Sequence, residues 1–282
     1  MRLPIIMFAV ALLLVACNGQ STQKENSMKK NEPVTEENNS DLVEQEDEQI
    51  PETNVEEEKE DKKVEAPEVE VVAPEYKMNA VFALEPVKDA NPKVVLLTID
   101  DAPDKYALEM AKTLKELHAP AIFFVNGHFI NSPEKEAILK KIYDLGFEIG
   151  NHTFSHANLT TLSPEEQKEE ILSVNDKVEE ITGERPKFFR APFGANTDVS
   201  KQIATEENML VMNWTYGYDW EKDYMSKDAI ADIMVNTELL GNGANLLMHD
   251  REWTNGGLKQ IVKGLRDKGF ETLDPKLIET PQ

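Results

Sequence analysis

The chain has one cysteine, Cys17, so no disulfide can form within it. It also lacks an apolar run long enough to span a bilayer, since the longest, Leu3–Val15, is too short. Basic residues are in the minority, with 30 Lys/Arg against 53 Asp/Glu and a formal net charge of −23. None of them cluster tightly enough to track a phosphate backbone, which argues against nucleic acid as a partner. There is no long repeat of near-identical sequence, and no feature points to an obligate protein partner. A length of 282 residues leaves room for one large domain or two small ones.

What is present begins at the N-terminus. Arg2, the apolar run and then Leu14-Val-Ala-Cys17 read as a signal peptide over residues 1–16. The last four residues resemble the lipobox of bacterial lipoproteins. That resemblance implies cleavage before Cys17, lipidation of its thiol, and a mature chain held by lipid on the outer face of the cytoplasmic membrane. The alternative is an ordinary cleaved signal peptide. From Asn18 to Glu75 there are 19 Asp/Glu against 6 Lys/Arg, and the next aromatic residue is Tyr76. Such a composition buries too little apolar surface to offset chain entropy, so 17–75 is expected to be a disordered acidic linker. As a flexible coil it would span roughly 40–45 Å, enough to hold a folded domain off a membrane; an acidic interaction tail is the competing reading. Residues 76–93 read as a loosely structured lead-in, and 94–282 as the folded domain. Beyond position 75 the charge is less lopsided, 34 acidic against 23 basic.

In that domain short apolar runs alternate with amphipathic stretches. Strands are expected at 94–99, 121–125, 147–150, 187–189, 209–212, 245–248 and 270–273. Helices are expected over 105–117, 133–145, 163–181, 195–208, near 226–240 and over 254–268. Ser163-Pro-Glu-Glu is a strong helix start, and Gly146 and Gly183 read as C-terminal caps. The alternation gives an α/β fold with a parallel sheet, either open and doubly wound or a barrel, although about 190 residues is short for a full eightfold barrel.

Chemistry-bearing residues fall at the C-terminal ends of these strands. Asp100 and Asp101 end the first, and ionised carboxylates there need a cation, a hydrogen bond or a proton to compensate them. His152 and His156 follow the third strand four residues apart; in a helical turn both imidazoles would share one face and reach one ion. This is not the protease motif H-E-x-x-H, because Thr153 occupies the glutamate position. Arg190 ends the fourth strand, Asp219 lies in the aromatic-rich loop Trp214–Trp220, and His249 closes the run Leu246-Leu-Met. Singly, each has a plain structural explanation. Jointly, two imidazoles and a carboxylate make the usual ligand set of a catalytic zinc, leaving a carboxylate for a base and a histidine for an acid.

Five segments in this order resemble the polysaccharide deacetylase family of carbohydrate esterases over about residues 94–275. They are Thr98-Ile-Asp-Asp-Ala-Pro103, His152-Thr-Phe-Ser-His156, Arg190-Ala-Pro-Phe-Gly194, Asp219-Trp220 and Leu247-Met-His249-Asp250. The resemblance implies a distorted (β/α) barrel of seven to eight parallel strands and one divalent metal, zinc first, with cobalt or another divalent ion as alternatives. It implies Asp100 as general base, Asp101, His152 and His156 as metal ligands, and His249 as general acid. Arg190 would orient Asp100, Asp219 would orient His249, the Phe193 N–H would serve the oxyanion, and Trp220 with Leu247 would line the acetyl-methyl pocket. The chain departs from the family pattern at Ile99, Ala102 and Phe193, where Phe, Gly and Tyr are usual. The implied reaction is removal of N-acetyl groups from a cell-surface glycan, with peptidoglycan N-acetylglucosamine as the leading substrate. The rivals are an O-acetyl esterase and a non-catalytic glycan-binding lipoprotein.

Overall fold

A computed structural model describes residues 73–282. The signal peptide, the lipidation position Cys17 and the acidic linker as far as residue 72 lie outside the described residues. The elements run in chain order as β1 (Tyr76–Met78), β2 (Leu84–Pro86), β3 (Val94–Ala102), α1 (Ala107–Glu116), β4 (Ala121–Val125), α2 (Pro133–Asp144), β5 (Glu148–Asn151) and α3 (Pro164–Thr182). There follow β6 (Phe188–Phe189), α4 (Asp198–Glu206), β7 (Leu210–Val211), β8 (Tyr216–Gly217), α5 (Lys227–Asn236), β9 (Ala244–His249), α6 (Glu252–Asp267) and β10 (Glu271–Thr272). Among the described residues no helix is long and apolar enough to cross a membrane.

Seven parallel strands pair in the order β7-β6-β5-β4-β3-β9-β8, and β10 pairs with the start of β3. The two outer strands, β7 and β8, follow one another in sequence but share no ladder, so the barrel is open along one side. The expected distorted barrel of seven to eight strands is what the chain forms.

Alternation along β3 explains the layering. Val95, Leu97 and Ile99 pack outward with helix residues such as Met110, Leu114, Leu258 and Ile261. Val94 and Leu96 turn inward with Ile122, Phe124, Phe188 and Met212 to fill the concave side. Thr98 and Asp100 continue that inward face towards the C-terminal rim, also buried. The register fixes their level, since Asp100 pairs opposite His249, and Val125 opposite Asn151, which in turn pairs with Phe189.

Local chemistry sets the helix ends. Ser163 accepts from the Glu166 N–H while the Glu166 carboxylate accepts from the Ser163 N–H, a capping box that starts α3 behind Pro164. Gly183 ends it at φ 88°, a left-handed conformation that suits glycine. A similar box at Thr197 and Ser200 starts α4 three residues later than the expected 195. Segment 76–93, read as a loose lead-in, contains the β1–β2 hairpin, whose Tyr76 and Leu84 are buried against Val94, Leu273 and Ile278 beneath the barrel. Leu84 donates to the Gly243 carbonyl, and a Cβ at Gly243 would fall 1.9 Å from the Leu84 oxygen, so only glycine fits that crossing. Strand β8 was not expected, because two residues within an aromatic segment carry no period to read.

Candidate active site

The rim above the inward-facing core gathers every strand-end residue named from the sequence. At its base Arg190, fully buried, donates through Nη1 to Asp100 Oδ1 at 2.6 Å and to Thr98 Oγ1 at 2.8 Å. Its Nη2 donates to the Asn213 carbonyl, and its guanidinium lies over the Phe124 ring with 4.3 Å to the centroid. Thr98 in turn donates its hydroxyl hydrogen bond to the Leu246 carbonyl. A buried carboxylate is thus matched by a bidentate-capable cation that is itself held on several sides.

Asp100 Oδ2 faces His152 Nε2 at 3.5 Å, and Asp101 Oδ1 faces His156 Nε2 at 3.6 Å. His152 donates from Nδ1 to the Arg190 carbonyl at 2.7 Å, which leaves Nε2 as the bare nitrogen aimed at the carboxylates. Burial holds its pKa below the usual imidazole value, favouring that neutral form despite the nearby Asp100. The donor atoms of Asp101, His152 and His156 all lie within 4.8 Å of one another. Lone pairs converging this way repel unless a cation sits among them, and two imidazoles with one carboxylate suit a divalent transition ion.

The two histidines do not share a helical turn, contrary to the expectation from their spacing. Residues 152–158 form a loop in which Thr153 (φ 67°) and His156 (φ 60°) are left-handed. Asp101 (φ 60°) and Phe193 (φ 59°) are left-handed too, so half of the eight described non-glycine residues at positive φ sit at this rim. Each such residue costs about 1–3 kcal/mol, and they concentrate where a precise array must be held. Ala102, which stands where the family usually has glycine, is not one of them; the positive φ falls on Asp101.

Across the rim, His249 Nδ1 donates to Asp219 Oδ1 at 2.6 Å. Asp219 Oδ2 accepts from the His249 N–H and from Thr254 Oγ1, and its carbonyl accepts from Trp253 Nε1. Burial pulls the His249 pKa down, but the Asp219 hydrogen bond and the charges of Asp219, Asp100 and Asp101 outweigh it and raise the pKa. At Asp101 burial likewise opposes ionisation, and His249, His152, His156 and Arg251 together prevail and lower the pKa. The Trp220 ring, exposed, stands edge-on to His249 at 5.5 Å, and the Phe193 ring edge-on to His156 at 4.9 Å. Leu247, buried on β9, backs against Gly217.

Four contributors escaped the sequence reading. Thr98 and Thr254 look like ordinary strand and helix residues. Asp250, quoted only as part of a motif, accepts from the Lys105 and Tyr106 N–H groups and ties β9 to the turn after β3. Arg251 donates to Asp101 Oδ2 at 2.7 Å. No local pattern announces these pairings, most of which join residues more than 100 positions apart.

A parallel half-barrel with paired carboxylates, imidazoles and an arginine at its C-terminal rim defines a hydrolase-type site. The family model for polysaccharide deacetylase matches residues 87–212. The peptidoglycan-N-acetylglucosamine deacetylase of Bacillus cereus is 33% identical over 205 residues, 67% of this chain and 70% of that protein. The chain belongs to the polysaccharide deacetylase family. The peptidoglycan-N-acetylmuramic acid deacetylase PdaC of Bacillus subtilis is 32% identical over 193 residues, 68% of this chain but only 40% of that protein. The PdaC structure superposes with a TM-score of 0.59 at 30% identity, covering 66% of this chain and 90% of that one. A family 4 carbohydrate esterase pseudoenzyme from Bacillus anthracis superposes at 0.58 with 29% identity, covering 64% of this chain and 63% of that one. A variant of that pseudoenzyme has restored activity.

Proposed function

We propose that this chain is a metal-dependent hydrolase that removes N-acetyl groups from peptidoglycan N-acetylglucosamine, anchored through a lipid at Cys17 on the outer face of the cell membrane. The observation that carries this reading is the meeting, at one rim, of Asp101, His152 and His156 within 4.8 Å of one another, beside an Asp100–Arg190 pair and a His249–Asp219 pair. A similar fold alone would not suffice, because the pseudoenzyme has it as well.

A divalent ion, zinc in the first instance, held by Asp101, His152 and His156 would supply Lewis acidity towards the acetamide carbonyl and the attacking water. Asp100, fixed by Arg190, takes the proton that the water loses as its oxygen bonds to the acetyl carbon. The Phe193 N–H donates to the developing oxyanion. His249, kept protonated by Asp219, hands its proton to the amine nitrogen as the C–N bond breaks, releasing acetate and a free amine. Trp220 and Leu247 flank the acetyl methyl group, and Trp220 and Phe193 offer exposed ring surface to the sugars.

The test is acetate release from N-acetylated chito-oligosaccharides and from peptidoglycan, with and without chelator and with added zinc or cobalt. Release that requires metal, matched by new free amines, is the expected result. Hydroxyls in place of amines would make the protein an O-acetyl esterase. Full activity in Asp100→Asn would remove Asp100 from the role of base.

A further inference from the structure

Arg251 stands between His249-Asp250 and α6, and none of the roles above requires it. Its backbone is fixed by the Arg251 N–H donating to the His249 carbonyl and by its own carbonyl accepting from the Asn255 N–H. From that base its guanidinium reaches across to β3 and donates to Asp101 Oδ2 at 2.7 Å, while Asp101 Oδ1 faces His156. The neighbouring Asp250 carboxylate does not compete for it, being taken up by the Lys105 and Tyr106 N–H groups. The arginine side chain is 38% exposed and that of Asp101 13%, so solvation was open to Arg251 and the pairing is not forced by burial. We propose that Arg251 is a positioning residue that confines Asp101 to one-oxygen ligation and weakens it as a donor, so the site holds its divalent cation less tightly and makes it more electrophilic. The proposal rests on the cation reading given above.

The physics has two parts. A guanidinium N–H on one carboxylate oxygen removes that oxygen from ligation and sets the plane of the other. The guanidinium charge also neutralises part of the only anionic ligand in the trio and repels a dication bound to the same carboxylate. Hydrogen bonds from ligating histidines to carboxylates strengthen the ligand; a full positive charge set against the ligating carboxylate draws on the same anion as the cation and works in the opposite sense. An ion so held keeps more of its positive charge for the acetamide oxygen.

Zinc affinity by competition with a chromophoric chelator, together with kcat and KM on an N-acetyl chito-oligosaccharide, tests this in the full chain and in Arg251→Gln and Arg251→Lys. Arg251→Gln should bind zinc about tenfold tighter while kcat drops about tenfold and KM changes little. Arg251→Lys, which keeps the charge but not the planar fork, should fall between the two. A merely structural role would lower affinity and turnover together. Unchanged or weaker zinc binding in Arg251→Gln overturns the proposal. Asp101→Ala serves as the reference: if it binds zinc as tightly as the parent, the cation reading itself fails, whereas a loss there with no tightening in Arg251→Gln defeats only the role given to Arg251.

Discussion

Asp219 meets four donors, the His249 ring, the His249 N–H and Thr254 at its carboxylate and Trp253 at its backbone carbonyl, and this arrangement favours the protonated form of His249. A raised pKa keeps the imidazolium present to a higher pH than the free imidazole value of about 6.5 allows. With His249 in its proposed role as the acid, the alkaline limb of turnover follows that pKa, and activity is lost as pH rises through it. In Asp219→Asn the hydrogen bond and the charge both go, so the alkaline limb of the pH–rate profile should move down and kcat should fall about 10²-fold. An alkaline limb that stays in place would dissociate Asp219 from the acid. Arg190 yields a prediction in stability. In Arg190→Met the buried Asp100 loses its cationic partner, which should cost about 3–5 kcal/mol in urea unfolding; a loss below about 1 kcal/mol would mean that Asp100 is compensated by something else. At this scale the sequence was legible wherever a residue's role follows from its place at a strand end, as with Asp100, Arg190 and His249. It was illegible where the role depends on a distant side chain: Arg251 is simply the residue before a helix until β3 and β9 bring it to Asp101, 150 positions away.

Elements with chemical boundaries could be read closely. Strand β4 coincides with its expected range, and α3 starts and stops where Ser163-Pro164 and Gly183 dictate. Since Ser163 lies in a capping box remote from the rim, Ser163→Ala should lower stability by about 1 kcal/mol while leaving zinc affinity and acetate release unchanged. A change in either activity measure would show that α3 transmits to the site. In the connection after β5 the i, i+4 spacing predicts a helical face, and the chain forms a loop there. The chain instead brings His152 and His156 together with two left-handed residues, and Phe154 between them donates to the Glu170 carbonyl on α3. Left-handed Thr is costly for a β-branched side chain, so nothing in local propensity foretells that turn. The two-residue strand β8 has the same difficulty: its place comes from parallel pairing with Leu246 and Leu247 of β9, not from its own composition.

In the described part of the molecule, chemistry occupies one end of the barrel and a plug closes the other. The β1–β2 hairpin contributes Tyr76 and Leu84 to the inward-facing core, Tyr76 bridges to Ile278 near the C-terminus, and the Glu75 N–H donates to the Leu277 carbonyl. Inward residues Val94 and Leu96 lie between that plug and the layer of Thr98, Asp100 and Arg190, so the hairpin supports the floor on which the ion pair rests. Burying Tyr76 and Leu84 is worth about 1.5–3 kcal/mol for each side chain, a large share of the net stability of a domain. The hairpin is therefore part of the folded unit even though the family model begins only at residue 87. Two truncations separate this from the alternative in which the lead-in is a dispensable extension of the linker. A chain starting at Glu65 should unfold cooperatively and match the full chain in the proposed release of acetate from soluble oligosaccharides. A chain starting at Lys93 retains every rim residue and should nonetheless lose several kcal/mol of stability and most of its turnover at 37 °C. If the shorter chain matched the longer one in urea midpoint and in kcat, the plug would have no part in holding the Asp100–Arg190 layer, and the rim would be supported by the helices alone.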